Sequence, residues 1–198
     1  KLTILFDLDG TLIDTAPDLI RAHNHVMRKF GYPTKTLGEL KNAVGKGAKA
    51  MMAKANGQWK WFDEKIQNEM TDEFISFYGK NIYNKSTLIN GVKEFLNWCK
   101  NEKISMAVCT NKTEHLAVDL LKKIGIYDYF EYVAGYNTFE YCKPDPRHLT
   151  TVIEILNGEL KKSIMIGDSE TDANSAKSAN IPMILSVSYT HLRAHETL

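Results

Sequence analysis

Five short β-rich runs separated by long helical patterns constrain the fold of this chain more than any other feature. The runs cover residues 3–6, 104–108, 132–134, 163–166 and 183–186. Strands that alternate with helices predict a parallel sheet, because each helical crossover returns the chain to the same end of the sheet. We therefore expect a doubly wound α/β fold with its site at the carboxyl ends of the strands.

The segment between the first two runs is far longer than one crossover needs. Its patterns are helical: Thr15 can cap a helix that has Pro17 in its first turn, and a second helix follows Gly47. A third helix has apolar residues at helical spacing, namely Phe62, Ile66, Met70, Phe74 and Phe77. We expect Trp59 and Trp61 to belong to the core of this helical insert. Two domains follow, a core of residues 1–14 and 88–187 and an all-helical cap of residues 15–87.

The end of the chain differs in character from the rest. From about Ser188 its charges and histidines follow no helical or strand period, and residues 188–198 resemble translated adapter or read-through sequence. His191 and His195 are four residues apart, but we do not expect a metal pair there. We predict a non-native tail in place of a closing helix, which would leave apolar surface of the sheet uncovered.

Charge and cysteine content exclude several classes of protein. The 25 basic residues nearly cancel the 24 acidic ones, so no overall field favours nucleic acid or an anionic membrane as a partner. No run approaches the length of a membrane span, and residues 2–6 are too short for a signal-peptide core. Cys99, Cys109 and Cys142 have neither a metal-ligand spacing nor an even count, which favours reduced, buried thiols. We expect a cytoplasmic protein, of oligomeric state unknown, that binds a small molecule.

Four carboxylates lie just after apolar runs. Asp7 and Asp9 flank Leu8, so on an extended strand their side chains point the same way. Asp168 follows another apolar run, and Asp172 comes one helical turn later. Like charges at one place repel, and one of them takes up a proton unless a cation is present. The pattern therefore predicts a hard, oxygen-binding ion such as Mg²⁺.

Two further stretches, "VCTNKT" and "CKPDP", have positive or hydrogen-bond-donating character. Thr110 and Asn111 close a strand and open a helix, and Lys143 precedes a proline turn that starts another helix. A hydroxyl, backbone amides at a helix N-terminus and an ammonium group together bind an anion. A magnesium ion beside such a site indicates phosphate as the ligand.

Four stretches taken in order, "DLDGTLID", "CTN", "KPDP" and "GDSETD", resemble the motifs of the haloacid dehalogenase superfamily. The resemblance covers essentially residues 3–185, and it is to the phosphatases that have a helical cap of the C1 type inserted after the first motif. It implies a Rossmann-like core and a Mg²⁺-dependent phosphatase, a phosphoric monoester hydrolase that acts on a small-molecule phosphate ester.

The resemblance also implies a role for each site residue. Asp7 would be the nucleophile that forms an aspartyl-phosphate, and Asp9 the general acid/base. Thr110 and Lys143 would hold the phosphoryl oxygens, with Asn111 beside the phosphate. The ligands of Mg²⁺ would be Asp7, the backbone carbonyl of Asp9 and Asp168, with Asp172 in support. These roles agree with the chemistry, because a carboxylate attacks a phosphate dianion only when nearby cations neutralise it.

Two stretches bear on the substrate. "DTAPDL" and "VGKGAKAMM" look like phosphoglycolate phosphatase-type sequences, in which a cap loop helps to choose the substrate. Gly45 and Gly47 would let backbone amides approach a ligand, and Lys46 could bind a substrate carboxylate. A mobile turn with a solvated lysine explains the same letters equally well. The predicted substrate is 2-phosphoglycolate, with a sugar phosphate, a nucleotide or pyrophosphate left open.

Three rival functions share parts of this pattern. A sugar-phosphate mutase would use the same aspartyl-phosphate, but the mutases of this family usually carry a histidine where Leu19 stands. Dehalogenases lack the second carboxylate, whereas Asp9 is present. A phosphoacceptor receiver domain also combines carboxylates, threonine and lysine around Mg²⁺, but its site residues come in a different order and it has no large helical insert.

Overall fold

The computed structural model describes residues 1–40, 43–44, 47–53 and 64–186, without the side chain of Ala53. These residues fall into two compact units, one of Lys1–Asp14 with the chain from Thr87 onward and the other of Thr15–Ser86. Residues 188–198, Trp59 and Trp61 lie outside the described part of the chain, so the expectations for them stay predictions.

The strands and helices are named here in chain order. The strands are β1 Thr3–Phe6, β2 Ile13–Asp14, β3 Thr87–Leu88, β4 Ser105–Cys109, β5 Tyr132–Ala134, β6 Ser163–Gly167 and β7 Met183–Leu185. The helices are α1 Ala16–Lys29, α2 Leu37–Leu40, α3 Ala48–Ala53, α4 Glu64–Lys80, α5 Val92–Asn101, α6 Glu114–Ile124, α7 Arg147–Ile155 and α8 Glu170–Ser178.

A parallel sheet lies at the centre of the first unit. Its strands have the order β5, β4, β1, β6, β7, and each neighbouring pair is parallel. The predicted doubly wound α/β sheet is therefore confirmed. A short antiparallel pair, β2 with β3, lies at the point where the chain leaves and re-enters this unit, and the sequence patterns did not indicate it.

The central strand β1 is buried on both faces. Leu5 belongs to an apolar cluster with Ala107, Met165 and residues of α7. On the other face the ring of Phe6 contacts Phe95 and Phe130, with centroids 6.1 and 5.9 Å away. Because interior parallel strands are covered by helices on both sides, their sequences are continuously apolar, and β1 reads "TILF". This packing fixes the end of β1, where Asp7 follows.

In the described part of the second unit, the longest elements are α1 and α4. Buried residues of α1, including Leu19, Val26 and Met27, belong to the same unit as buried Met70 and Phe74 of α4. Among the described helices of the chain, none combines the length and the apolar character that a membrane span requires.

Two local expectations for this unit were wrong. Thr15 precedes α1 but its side chain makes no capping hydrogen bond, because its φ of −96° and ψ of −7° are helical rather than extended. On α4, Ile66 is exposed and Phe77 stacks on His25 at 3.9 Å, whereas Tyr78 is buried. Met70 and Phe74 are buried as the spacing predicted, so the buried face of α4 differs from the prediction only at Ile66 and at Tyr78, which is buried in place of Phe77.

A buried carboxylate in the first turn of α1 binds the chain that ends this unit. Oδ2 of Asp18 accepts hydrogen bonds from the backbone N–H groups of Asn84, Lys85 and Ser86 at 3.0, 2.8 and 2.8 Å. It also accepts one from the Ser86 hydroxyl at 2.8 Å. Asp18 thus ties the start of the second unit to its end.

Candidate active site

The ends of three neighbouring strands form the candidate site. Asp7 follows β1, Thr110 follows β4 and Asp168 follows β6, and β1 lies between the other two strands. β4 and β5 lie on one side of β1, and β6 and β7 lie on the other, so the strand order reverses at β1. At such a reversal a crevice opens at the carboxyl ends of the strands. Asp7 is fixed in this position by its backbone N–H, which donates to the carbonyl of Ile166 at 2.8 Å.

Lys143 joins two of the carboxylates. Its Nζ lies 2.8 Å from Oδ1 of Asp7 and 2.6 Å from Oδ1 of Asp172, and all three side chains are almost completely buried. The amide nitrogen of Asn111 donates to the carbonyl of Lys143 at 2.9 Å, and the peptide between Lys143 and Pro144 is cis. Asn111, which lies just after β4, therefore holds the backbone at Lys143 in place.

The charges of this cluster change its pKa values. Burial raises the pKa of Asp7 to about 8, opposed by Lys143 and reinforced by Asp172 and Asp9. Burial also raises the pKa of Asp168 to about 6, with Asp172 and Asp9 adding to the effect. Burial alone would lower the pKa of Lys143, but the charges of Asp172 and Asp7 outweigh it and raise that pKa. Lys143 is thus a permanent cation beside Asp7, whose carboxyl group resists ionisation.

A tight loop after β1 brings Asp9 and Asp168 to the same place. Gly10 has a φ of +82°, and a Cβ on it would lie 3.0 Å from Cγ of Asp168, so a side chain there would displace the carboxylate. The Thr11 hydroxyl lies 3.5 Å from Oδ1 of Asp168. Oδ2 of Asp9 lies 3.1 Å from Nζ of Lys112, and both side chains are buried.

Asp172 is bound at both carboxylate oxygens. Its Oδ2 accepts the backbone N–H and the hydroxyl of Ser169 at 3.1 and 2.6 Å, and its own N–H donates back to the Ser169 hydroxyl. This capping box starts α8. A Cβ on Gly167 would lie 2.6 Å from Cγ of Asp172, so glycine at the end of β6 lets the carboxylate approach.

Thr110 is buried and presents a hydroxyl to the site. Its oxygen accepts the backbone N–H of Lys112 at 3.1 Å, which leaves the hydroxyl proton available for donation to a ligand. Oδ1 of Asn111 is buried and has no hydrogen-bond partner among the described residues, while its nitrogen is engaged with Lys143.

The donor set fits a divalent cation. Asp7, Asp168 and Asp172 each offer a carboxylate oxygen, and these oxygens lie within 4.8 Å of one another. Including Asp9, this cluster has four carboxyl groups and the two ammonium groups of Lys112 and Lys143 among the described residues, so its fully ionised form has two negative charges in excess. Oxygen ligands and a surplus of two negative charges suit a hard ion such as Mg²⁺.

The predicted site residues divide into two groups. The structure brings together those of the first unit: Asp7, Asp9, Thr110, Asn111, Lys143, Asp168 and Asp172. Of the cap loop, Gly45 and Lys46 lie outside the described residues, and Gly47 precedes α3 with a φ of +90°. No role was predicted for Lys112, although it lies within the "VCTNKT" stretch.

Comparisons with known proteins bear on the family of this chain. Residues 4–186 match the family model described as haloacid dehalogenase-like hydrolase. A phosphoglycolate phosphatase of Mesorhizobium japonicum is 36% identical over 197 residues, which cover 98% of this chain and 87% of that protein. One of Agrobacterium fabrum is 39% identical over 181 residues, 91% of this chain and 78% of that protein.

A solved structure gives the same result for the fold. It is a crystal structure of a predicted phosphoglycolate phosphatase from Haemophilus somnus 129pt, with a TM-score of 0.86 and 28% sequence identity. The match covers 92% of this chain and 84% of that one. The chain therefore belongs to the haloacid dehalogenase-like hydrolase family, and within it to the phosphatases, which are phosphoric monoester hydrolases.

Proposed function

We propose that this phosphatase hydrolyses 2-phosphoglycolate, or a closely related small phosphate monoester, through a phosphoryl group carried on Asp7. The observation that carries the mechanism is the buried contact of 2.8 Å between Asp7 and Lys143. The names of relatives that are 36% and 39% identical support the choice of substrate. The first unit would be the catalytic core, and the second the cap.

In the first step, a carboxylate oxygen of Asp7 attacks phosphorus while the bond from phosphorus to the ester oxygen breaks. Asp9 donates a proton to that oxygen, which leaves as an alcohol. Lys143 and the hydroxyl of Thr110 stabilise the phosphoryl oxygens, where negative charge is highest. Buried donors that are already in place do this without reorganising at the moment of reaction.

In the second step, water attacks phosphorus and the bond to Asp7 breaks. Asp9, now ionised, takes a proton from the water, so inorganic phosphate is released and both carboxyl groups return to their starting states. The same donors stabilise both steps because the phosphoryl group stays between them.

Mg²⁺ is part of the proposal. Asp7, the backbone carbonyl of Asp9 and Asp168 would hold it, and Asp172 would support the site by fixing Lys143 and the start of α8. When bound, the ion supplies positive charge that favours the ionised form of Asp7 and neutralises the phosphate. A cytoplasmic setting is also part of the proposal, and Cys99, Cys109 and Cys142 are free thiols.

A panel of phosphate esters tests the substrate. It should contain 2-phosphoglycolate, glucose phosphates, nucleoside monophosphates and pyrophosphate, with kcat/KM measured for each. We expect the highest value for 2-phosphoglycolate, and activity that is lost in EDTA and restored by Mg²⁺. A higher kcat/KM for another ester would contradict the substrate, and activity that survives EDTA would contradict the metal.

A further inference from the structure

Lys112 is a buried lysine to which the reaction steps above assign no role. It is the third residue after β4, and its main chain is held at both polar groups. Its N–H donates to the Thr110 hydroxyl at 3.1 Å, and its carbonyl accepts the N–H of Tyr136 at 2.8 Å. A Cβ on Gly135 would lie 2.7 Å from that carbonyl oxygen, so Gly135 packs closely against the backbone of Lys112 and the start of α6. The backbone of Lys112 is therefore fixed, and the contact between its Nζ and Oδ2 of Asp9 places the ammonium group in the site.

The ammonium group of Lys112 is held away from water. Its side chain is only 5% exposed and that of its partner Asp9 is 7% exposed, with 3.1 Å between Nζ and Oδ2. Lysine normally extends its charge into solvent, and burying an ion pair costs more free energy than an exposed pair does. A buried lysine at a crevice is therefore a candidate for binding a ligand.

The two buried lysines contact different carboxylates of the site. Lys143 contacts Asp7 and Asp172, on the side where the phosphoryl group would bind. Lys112 contacts Asp9, the residue proposed to protonate the leaving oxygen. The part of the substrate beyond that oxygen must start within hydrogen-bond reach of Asp9, and therefore close to Lys112.

We propose that Lys112 is a specificity residue that binds an anionic group, a carboxylate, on the leaving alcohol of the substrate. In 2-phosphoglycolate the carboxylate carbon is two bonds from the ester oxygen. One ammonium group can therefore contact the carboxylate of the substrate while the ester oxygen contacts Asp9, and such charge-assisted hydrogen bonds are among the strongest available. This inference rests on the proposed function, and it places recognition of the carboxylate in the first unit rather than in the loop that contains Lys46.

A matched pair of substrates tests the inference. 2-Phosphoglycolamide differs from 2-phosphoglycolate in having a neutral amide in place of the carboxylate. We expect the wild type to prefer the carboxylate at least about tenfold in kcat/KM, since a charge-assisted contact is made only with it. Lys112→Met should reduce the ratio to near one, and Lys112→Arg should keep most of it. A preference that survives in Lys112→Met would overturn the inference.

A second measurement separates substrate recognition from support of Asp9. Removing the lysine alone leaves a buried carboxylate without this partner, whereas removing both charges is less disruptive. The test therefore compares Asp9→Asn with the double variant Asp9→Asn, Lys112→Met, using calorimetry to measure binding of both ligands. We expect the double variant to bind 2-phosphoglycolate at least about tenfold more weakly, with a smaller change for 2-phosphoglycolamide. An equal loss for both ligands would overturn the inference.

The failures of this inference and of the proposed function can be told apart. If the wild type prefers 2-phosphoglycolate on the ester panel and Lys112→Met keeps the preference for the carboxylate, the function stands and the inference fails. If the wild type prefers esters without a carboxylate, the proposed substrate fails and the inference fails with it. Lys123→Met, at an exposed lysine of α6 that is paired with Asp119, is the matched control, and it should leave the ratio of the two substrates unchanged.

Discussion

Each of the two units contains a buried aspartate whose surroundings move its pKa in a different direction. Asp7 of the first unit is 3% exposed and Asp18 of the second is 1% exposed. Burial raises the pKa of Asp7 to about 8, and nearby carboxylates keep it high despite Lys143. Burial also acts to raise the pKa of Asp18, but hydrogen bonds from Lys85, Ser86 and Asn84 outweigh it and lower that pKa.

The fold itself stabilises the buried charge of Asp18, whereas it does not do so for Asp7. Three backbone N–H groups and the Ser86 hydroxyl stabilise the charge of Asp18, so that carboxylate contributes to the stability of its unit. Asp7 is held among like charges, a situation that costs stability and that a bound cation would relieve. Such destabilised groups are typical of active sites, where function rather than stability selects the arrangement.

The largest expected effect comes from Asp7→Asn. Loss of the nucleophile should lower kcat by on the order of 10⁴-fold or more. In EDTA the same variant should be more stable than the wild type by a few kcal/mol at pH 8, because a neutral amide replaces the strained carboxylate. Phosphate release and urea denaturation measure the two effects. If Asp7→Asn were less stable than the wild type in EDTA, the charge of Asp7 would not be destabilising, and the contrast with Asp18 would be wrong.

Asp18→Ala should do the opposite. It removes the acceptor of four hydrogen bonds, two buried and two partly buried, so we expect the free energy of unfolding of the second unit to fall by about 3 kcal/mol. Asp18→Asn should lower this free energy of unfolding less, since the amide oxygen can still accept hydrogen bonds. Urea denaturation measures both, and Asp72→Ala, at an exposed position of the same unit, is the control with a change within about 0.5 kcal/mol. An equal change in Asp18→Ala and the control would contradict this role.

The pH dependence of stability gives a further test of the difference between Asp7 and Asp18. A carboxyl group whose pKa is raised on folding binds its proton more tightly in the folded state, so its contribution to stability is lost as pH rises toward the folded pKa. For Asp7 without metal, stability should fall by on the order of 1 kcal/mol between pH 6.5 and pH 8. Below pH 6.5 the comparison is less clean, because burial and the charge of Lys143 lower the pKa of His148 to about 4. The stability cost of buried, neutral His148 grows as pH falls from about 6.5 to 4, which opposes the slope from Asp7.

Urea denaturation in EDTA at three pH values in that window measures the slope. Asp7→Asn is the matched control, and its stability should be nearly constant there. A wild-type slope equal to that of the variant would show that Asp7 ionises as easily as an exposed carboxyl group.

The smallest expected effect concerns Thr11. Its hydroxyl lies 3.5 Å from Oδ1 of Asp168, a long hydrogen bond, so Thr11→Val should weaken activation by Mg²⁺ by less than about tenfold. The concentration of Mg²⁺ that gives half-maximal activity measures the change. A loss of more than a hundredfold would show that Thr11 contacts the ion or the substrate directly.

Much of the first unit could be predicted from sequence because its signals are local. The runs at residues 3–6 and 132–134 match β1 and β5 at both ends. Those for β6 and β7 differ by one residue at one end, and the run for β4 is displaced by one residue at both ends. Site residues directly after apolar runs, such as Asp7 and Asp168, come together because parallel strands end at the same edge.

The features that were not predicted depend on residues far apart in the chain. The partners of Asp18 are 66 to 68 residues away, so no local pattern marks this aspartate as structural. Lys112 reads as an exposed lysine at a helix start, and only the position of Asp9 shows that it is buried in an ion pair. The face of α4 was misjudged because helical spacing cannot tell which of Phe77 and Tyr78 points inward.

Mass spectrometry of a single turnover tests directly whether Asp7 carries the phosphoryl group. Wild-type protein is mixed with Mg²⁺ and 2-phosphoglycolate, quenched in acid within milliseconds, digested and sequenced by fragmentation. We expect one added phosphoryl group on the peptide that contains Asp7, located on that residue, and none in Asp7→Asn. Turnover without any phosphorylated peptide, or a phosphoryl group on another residue, would contradict the account.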